Sequence, residues 1–396
     1  MSLNDTASAN RVHIAFFGKR NAGKSSIMNA VTAQNIALVS DVAGTTTDPV
    51  YKTMELLPIG PVMMIDTAGM DDNQGELGAL RVKKTKQVLN KTDVAVLVVD
   101  ASRGISQMEQ RWISLFEEKK IPYVTVYNKI DLAKAPEGAL SVSAVTGEGI
   151  EALKNTLVHL AKPQQLPSPI EGLVESGDTA ILVTPIDASA PKGRLILPQQ
   201  QTIRALLDAD AAAIVVKETM LEETLKKYPN PKLVITDSQV FGMVAKLTKG
   251  VAPLTSFSIL MARQKGDLEL TVQGVKALDT VKDGDKILIA EGCTHHRQCE
   301  DIGTVKLPNW IREYTGVNPE FVFCSGTEFP EELSQYKMVI HCGGCMLNAR
   351  EMKYRQKSAK DEQIPITNYG IAIAYMKGIL SRSLEPFPDL YQKLHS

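Results

Sequence analysis

The chain predicts an α/β protein of three units in series, the first closed around a phosphate-binding loop. Three observations carry that expectation. A glycine-bounded octapeptide lies between a strand-like run and a helix. Short polar motifs then follow further apolar runs in a fixed order, and two more alternations of strand and helix come after residue 178. At 396 residues the chain is also too long for one ordinary core.

The first unit reads element by element. Val12–Phe17 (VHIAFF) is a short apolar run of the kind that forms a buried parallel strand. Gly18–Lys19–Arg20–Asn21–Ala22–Gly23–Lys24–Ser25 fits G-x-x-x-x-G-K-[ST], and Ser25–Thr32 reads as the first turns of a helix. A strand–loop–helix unit aims several backbone N–H groups and a helix N-terminus at one point, which attracts phosphate. Asn21, Ala22, Gly23, Lys24, Ser25 and Ser26 are the candidate contacts, with Lys24 reaching the β/γ-phosphates and Ser25 ligating Mg²⁺.

Later motifs name the base. Asp66–Thr67–Ala68–Gly69 follows the run Val62–Ile65; Asp66 can hold Mg²⁺ through water, and the Gly69 N–H can sense a γ-phosphate. Gly44–Thr45–Thr46–Thr47–Asp48 lies between the loop and that aspartate, where a switch segment belongs, and Thr46 is the candidate to close over Mg²⁺. Asn128–Lys129–Ile130–Asp131 follows Tyr123–Tyr127. The Asp131 carboxylate can accept two hydrogen bonds from the guanine N1–H and amine, a donor pair that adenine lacks. Ser143–Ala144, after Ala139–Val142, closes the base pocket with a backbone N–H. Each motif alone is weak. All of them in order, each after a strand-like run, predict a Ras-like P-loop GTPase fold that takes GTP or GDP, with Lys24, Thr46, Asp66 and Gly69 as the catalytic set.

This order resembles the GTPases of the TrmE–Era–EngA type. Met70 stands where many small GTPases place a water-orienting Gln, so catalysis must lean on another group. The resemblance implies one: Asn21 occupies the position at which potassium-activated members place a K⁺ ligand, and a monovalent cation there does the charge neutralisation of an arginine finger. Slow intrinsic turnover is expected.

A second set of motifs lies in the last third. Cys293–Thr294–His295 and His341–Cys342–Gly343–Gly344–Cys345 hold three of the five cysteines. A C-x-x-C turn brings two thiolates to one metal. Lys286–Ala290 and Lys337–Ile340 are strand-like runs ending just before these clusters; as parallel strands of one sheet they would deliver both clusters to its carboxyl edge, where α/β folds place ligands. Three Cys and a His suit tetrahedral zinc, and three thiolates equally suit an iron–sulfur cluster with one exchangeable position. Cys324 ends the run Glu320–Phe323 and reads as a core cysteine; Cys299 is off-spacing, and His13, His159 and His395 have no partner pattern.

A GTPase of this type followed by C-x-H and H-C-x-x-C closely resembles the FeFe-hydrogenase maturation GTPases, the HydF family, over essentially the whole chain. The resemblance implies a scaffold and carrier. It implies a 4Fe–4S cluster on Cys293, Cys342 and Cys345, with His295 and His341 as second-shell groups or a fourth ligand. It implies receipt of a di-iron subcluster precursor from two radical-SAM maturases and delivery to apo-FeFe-hydrogenase. It also makes the motif-free middle unit a dimerisation domain, so a homodimer or higher homo-oligomer is expected.

Composition agrees. Net charge is −1, with no basic excess pointing to nucleic acid, and no apolar run is long enough to span a membrane. Met1–Asn10 are polar, are expected to be disordered, and lack a signal peptide's apolar segment; with free thiols this points to the cytoplasm. Expected domains are 1–165 for the GTPase, 166–177 for a Pro- and Gly-bearing linker, 178–266 for dimerisation and 267–396 for the cluster. Thr179–Thr184, Ala211–Val216 and Lys232–Thr236 read as strands, and Thr202–Leu207, Leu221–Lys227 and Ser238–Leu247 as helices. Two alternatives stay open on residues alone. A ribosome- or tRNA-directed GTPase with a structural zinc site would need a basic surface, and Arg81–Lys86 reads only as one exposed helix face. A zinc-stabilised switch without metal cargo is the other. Since the guanine motifs and the cysteines fall in different units, GTP hydrolysis is read as a change of bound partner rather than as the energy source for cluster chemistry.

Overall fold

The computed structural model describes residues 11–32, 49–69, 84–161, 166–186, 195–292, 302–326 and 328–395. The chain divides into two units, Met1–Gln165 and Leu166–Ser396.

The first unit is a six-stranded sheet of β1 (Val12–Phe17), β2 (Val50–Leu56), β3 (Gly60–Asp66), β4 (Val94–Asp100), β5 (Tyr123–Asn128) and β6 (Ser141–Val142). Their order is β2-β3-β1-β4-β5-β6, parallel except for β2 against β3. Strand periodicity sends alternate side chains to opposite faces. Ile14, Phe16, Val96 and Val98 pack with α1 (Lys24–Thr32) and α4 (Ile150–Leu160). Ala15, Phe17, Leu97 and Val99 meet the other face, where α3 (Gln107–Glu118) lays Trp112 on Phe17 with ring centroids 5.3 Å apart. Residues 84–90 are helical and are labelled α2. These strands are apolar runs rather than alternating ones because helices cover both faces.

The second unit holds two four-stranded parallel sheets. The first is β7 (Thr179–Val183), β8 (Ala212–Val216), β9 (Leu233–Thr236) and β10 (Leu254–Ser256), ordered β10-β9-β7-β8. The second is β11 (Lys286–Ala290), β12 (Glu320–Cys324), β13 (Met338–His341) and β14 (Ile366–Asn368), ordered β12-β11-β13-β14. Helices α5 (Leu197–Asp208), α6 (Leu221–Lys227), α7 (Phe241–Leu247), α8 (Phe257–Lys265), α9 (Leu268–Gly274), α10 (Leu307–Thr315), α11 (Ala349–Asp361), α12 (Tyr369–Met376), α13 (Leu380–Ser383) and α14 (Pro388–His395) complete the unit.

The expected strands and helices are present, with α5 beginning five residues earlier than the sequence reading placed it. Burial adds two facts to the expected division. Ile170 and Val174 of the expected linker are buried in the second unit's core. That same core joins Leu182 and Ile235 of one sheet to Ile289 and Ile340 of the other through Ile259 and Leu260 of α8 and Ile371 of α12. The stretches 178–266 and 267–396 thus share one hydrophobic core, because helices such as α8 are apolar on more than one side. Among the described residues no helix is long and apolar enough to cross a membrane.

Candidate functional site

The phosphate loop joins β1 to α1. Gly23 has φ +93°, and a Cβ there would meet the Asn128 side-chain amide at 2.1 Å, so only glycine fits. Asn21 is exposed, with φ +61°. Lys24 is buried, and its ammonium donates to the carbonyls of Gly18 (3.0 Å) and Lys19 (2.8 Å). The Ser25 hydroxyl donates to the Asp66 carboxylate. Asp66 is 1% exposed, and its Oδ1 has no hydrogen-bond partner among the described residues. Burial pushes its carboxyl up, against the pull of Ser25, Lys24 and Lys52. A buried acceptor left open beside a serine hydroxyl fits a hard cation with oxygen ligands such as Mg²⁺. Ser26 follows in the first turn of α1. Gly69 lies against the Arg20 backbone, where a Cβ would approach to 2.9 Å. Thr46 and the switch segment around it, like Met70, lie outside the described residues.

The base-reading motifs converge on the same loop. The Asn128 amide donates to the Ala22 carbonyl at 2.9 Å and accepts the Ala144 N–H at 3.3 Å. The Ser143 hydroxyl donates to Asp131 at 2.6 Å, which aims that carboxylate. Lys129, with φ +69°, extends to Asp100 at 2.7 Å. Burial raises the Asp100 carboxyl, but hydrogen bonds from Lys129 and Ser102 outweigh it and hold the group below its ordinary value. The sequence reading missed Asp100. Its signal is positional: it ends β4 opposite Asn128 in the register.

In the second unit β11 and β13 are adjacent and parallel, with Ala290 opposite His341. The chain leaves β11 toward β12 on one side and β13 toward β14 on the other, so their carboxyl ends flank a topological switch point. Gly292, just past β11, donates its N–H to the Cys342 sulfur at 3.0 Å, and Gly344 donates at 3.4 Å. Gly344 has φ +62°, and a Cβ there would meet Met352 Sδ at 2.6 Å. Cys342 and Cys345 are half-buried free thiols. Burial raises the Cys342 thiol to about 11, although the two N–H groups pull it down. Such a sulfur becomes a thiolate when a metal supplies the positive charge. The donors present, a C-x-x-C pair at a sheet edge with N–H groups on one sulfur, fit a thiolate-ligated metal centre. Cys293, His295 and Cys299 lie outside the described residues, and among the described residues no group of three metal-binding side chains is found.

His341 is fully engaged. Its Nδ1 meets the Cys342 carbonyl at 2.7 Å and its Nε2 meets Arg355 Nη1 at 2.9 Å. Burial, then the Arg355 charge, lower it to about 3, so it is neutral, with Nδ1–H donating and Nε2 accepting. Both nitrogens are thus engaged, one on the Cys342 backbone and one on Arg355. Arg355 is wholly buried and also binds Glu351 (2.8 Å) and the Gly326 carbonyl (2.6 Å) over the Phe329 ring. Cys324 ends β12 half-buried; burial raises its thiol to about 11, and it packs with Leu288 and Phe329.

The first unit's sheet order, loop and base-reading motifs define a P-loop GTPase domain, and the second unit adds a cysteine turn at a parallel sheet edge. Family profiles agree along the chain: 50S ribosome-binding GTPase over residues 13–129, hydrogen maturase F dimerization domain over 170–266, and hydrogen maturase F tetramerization domain over 269–386. The two hydrogen maturase F segments together take in more than half of the chain, and it belongs to the hydrogen maturase F family. Curated relatives include the tRNA modification GTPase MnmE of Desulfotalea psychrophila, 34% identical over 177 residues (41% of this chain, 37% of that protein). That of Carboxydothermus hydrogenoformans is 36% identical over 160 residues (37% of this chain, 34% of that protein). The chain spans about a third of the length of the curated relatives it matches. Among solved structures, Aquifex aeolicus Era bound to GDP·AlF4⁻ is 17% identical, covers 52% of this chain and 92% of its own, and gives a TM-score of 0.35.

Proposed function

We propose that the protein is a GTP-hydrolysing scaffold of FeFe-hydrogenase maturation. It holds a 4Fe–4S cluster on Cys293, Cys342 and Cys345, receives a di-iron subcluster precursor from two radical-SAM maturases, and passes it to apo-hydrogenase. The observation that carries this reading is the Cys342 sulfur at the β11/β13 switch point, receiving the N–H of the residue next to Cys293. The hydrogen maturase F segments supply its context. When bound, the cluster would supply an iron site with an exchangeable position, suited to docking and releasing cargo.

The chain's own residues then divide the work. Lys24 turns from the Gly18 and Lys19 carbonyls to the β/γ-phosphates, and the N–H groups from Ala22 to Ser26 hold the phosphate oxygens. Ser25, Asp66 and Thr46 hold Mg²⁺, Gly69 senses the γ-phosphate, and Asn21 offers its side-chain oxygen to K⁺. Asp131, aimed by Ser143, reads guanine, while Asn128, Lys129 and Ala144 wall the pocket. GTP hydrolysis changes which partner is bound. β8 supports self-association: among the described residues this apolar strand (AAIVV) ends its sheet and leaves Val215 41% exposed, an edge of the kind that pairs with another chain.

The test is iron, sulfide and zinc content with EPR on anaerobically reconstituted protein, beside Cys293→Ser and Cys342→Ser. About four irons per chain with a reducible signal, lost in both variants, is expected. Stoichiometric zinc without a reconstitutable cluster would overturn the reading and leave the alternative of a ribosome- or tRNA-directed GTPase with a structural metal.

A further inference from the structure

Lys265, the last residue of α8, is 1% exposed. A buried lysine is costly unless every ammonium proton finds an acceptor. Here all three do. The ammonium lies 3.2 Å from the Gly344 carbonyl, 3.1 Å from that of Cys345 and 3.1 Å from that of Leu347. Three acceptors match the three protons of a charged ammonium, whereas a neutral amine carries only two. The carbonyls belong to one turn, the one bearing Cys345 and closing on Cys342. The turn is also held by the Gly344 N–H on the Cys342 sulfur and by the Leu347 N–H on the Gly344 carbonyl, 3.1 Å away. The Gln356 side-chain Oε1 accepts the N–H of Asp267, the cap of α9, at 2.8 Å and ties the segment just after α8 to α11. Lys265 belongs to the segment matched as the dimerization domain, and the turn to the segment matched as the tetramerization domain.

We propose that Lys265 is the positioning residue of the C-x-x-C turn and the fixed positive charge that sets the reduction potential of the thiolate-ligated centre held there. The charge half of this statement rests on the cluster reading above; the positioning half does not. The ammonium sits on the carbonyls of Gly344, Cys345 and Leu347, in the turn that joins the two cysteines, and its charge acts through space on the sulfurs of Cys345 and Cys342. A cation fixed there favours the more reduced, more negative state of a thiolate-bound centre. Because the ammonium is carried on α8, a displacement of that helix would move charge and turn together.

The experiment uses the full chain with Lys265→Met and Lys265→Arg. In metal-free protein, hydrogen exchange of the 342–348 amides is followed by mass spectrometry, with the β11 and β13 amides as internal controls. Lys265→Met is expected to exchange at least about tenfold faster in that turn, the scale of a lost charge-assisted hydrogen bond, with the strands unchanged. After anaerobic reconstitution, an EPR-monitored redox titration is expected to place Lys265→Met at a more negative potential than wild type, with Lys265→Arg close to wild type. Unchanged exchange in Lys265→Met overturns the positioning role. Faster exchange with an unchanged potential overturns the charge role. Failure of the wild-type chain to take up a cluster refutes the carrier reading and with it the charge role, while the exchange data still judge the positioning role. If Lys265→Met does not fold, Lys265→Arg decides: its guanidinium keeps the charge but not the three-carbonyl geometry, so the turn loosens while the potential holds. Unchanged exchange or a displaced potential in that variant overturns the corresponding half.

Discussion

Removing the Arg355 side chain should unfold the second unit far more readily, and removing its partner as well should restore much of the loss. Arg355 and Glu351 are both nearly inaccessible, and their ion pair spans 2.8 Å across one turn of α11. Arg355→Met takes the cation from Glu351, whose Oε2 already has no partner among the described residues, and the donor from His341 Nε2. Leaving one member of a buried pair uncompensated costs about 3–5 kcal/mol. In a unit the size of Leu166–Ser396 that lowers the melting temperature by about 6–20 °C. Replacing both members with apolar groups, as in Arg355→Met with Glu351→Leu, removes the stranded charge and is expected to recover more than half of the loss. The chain offers a clean reporter. It has two tryptophans, Trp112 in the first unit and Trp310 in the second, so thermal unfolding by fluorescence in a Trp112→Phe background follows the second unit alone. A loss under about 1 kcal/mol for Arg355→Met, or a double variant no better than the single, would refute the argument from buried charge.

Three further outcomes are expected. Asp100 and Glu109 both have carboxyls held below their ordinary values, where hydrogen bonds and nearby lysines outweigh burial. Their contribution is therefore complete above the ordinary carboxylate range and is lost as pH falls through the lowered folded values. Asp100→Asn should flatten the acid limb of first-unit unfolding followed by Trp112 fluorescence, and an unchanged slope would count against it. Val215→Lys on the β8 edge should shift sedimentation velocity toward smaller species without loss of secondary structure; an unaltered distribution would move the self-association surface elsewhere. GTP hydrolysis should be several-fold faster in KCl than in NaCl, and Asn21→Ala should bring the two rates together. A preference for potassium that survives the substitution would remove Asn21 from the cation's ligands.

The phosphate loop, the DTAG and NKID motifs and the strands before them were legible because each is local. A strand ends, the backbone turns, and the functional group follows within a few residues. The Gly23–Asn128 approach shows the limit: the glycine is readable from its motif, but its reason lies 105 residues away, in a side chain that occupies its Cβ position. The hydrophobic core shared by the stretches 178–266 and 267–396, and the burial of the linker, were not legible. Composition changes at the linker prolines, yet Ile170 and Val174 bury themselves in the core that follows.

The sequence by itself determined the chemistry available: a P-loop and guanine-reading motifs, and thiols spaced to converge at one sheet edge. It could not assign Lys265, Arg355 or His341. Glu351 and Arg355 have the spacing of an ordinary solvated helix pair, Lys265 ends a helix like many exposed lysines, and His341 sits in the motif as a candidate ligand. Only packing decides their partners. Burial makes the first two an obligatory ion pair, turns Lys265 into a three-carbonyl clamp, and ties both nitrogens of His341 to the Cys342 carbonyl and Arg355. The cost of burying a charge depends on every neighbour brought in by the fold, and those neighbours lie as far as 82 residues along the chain.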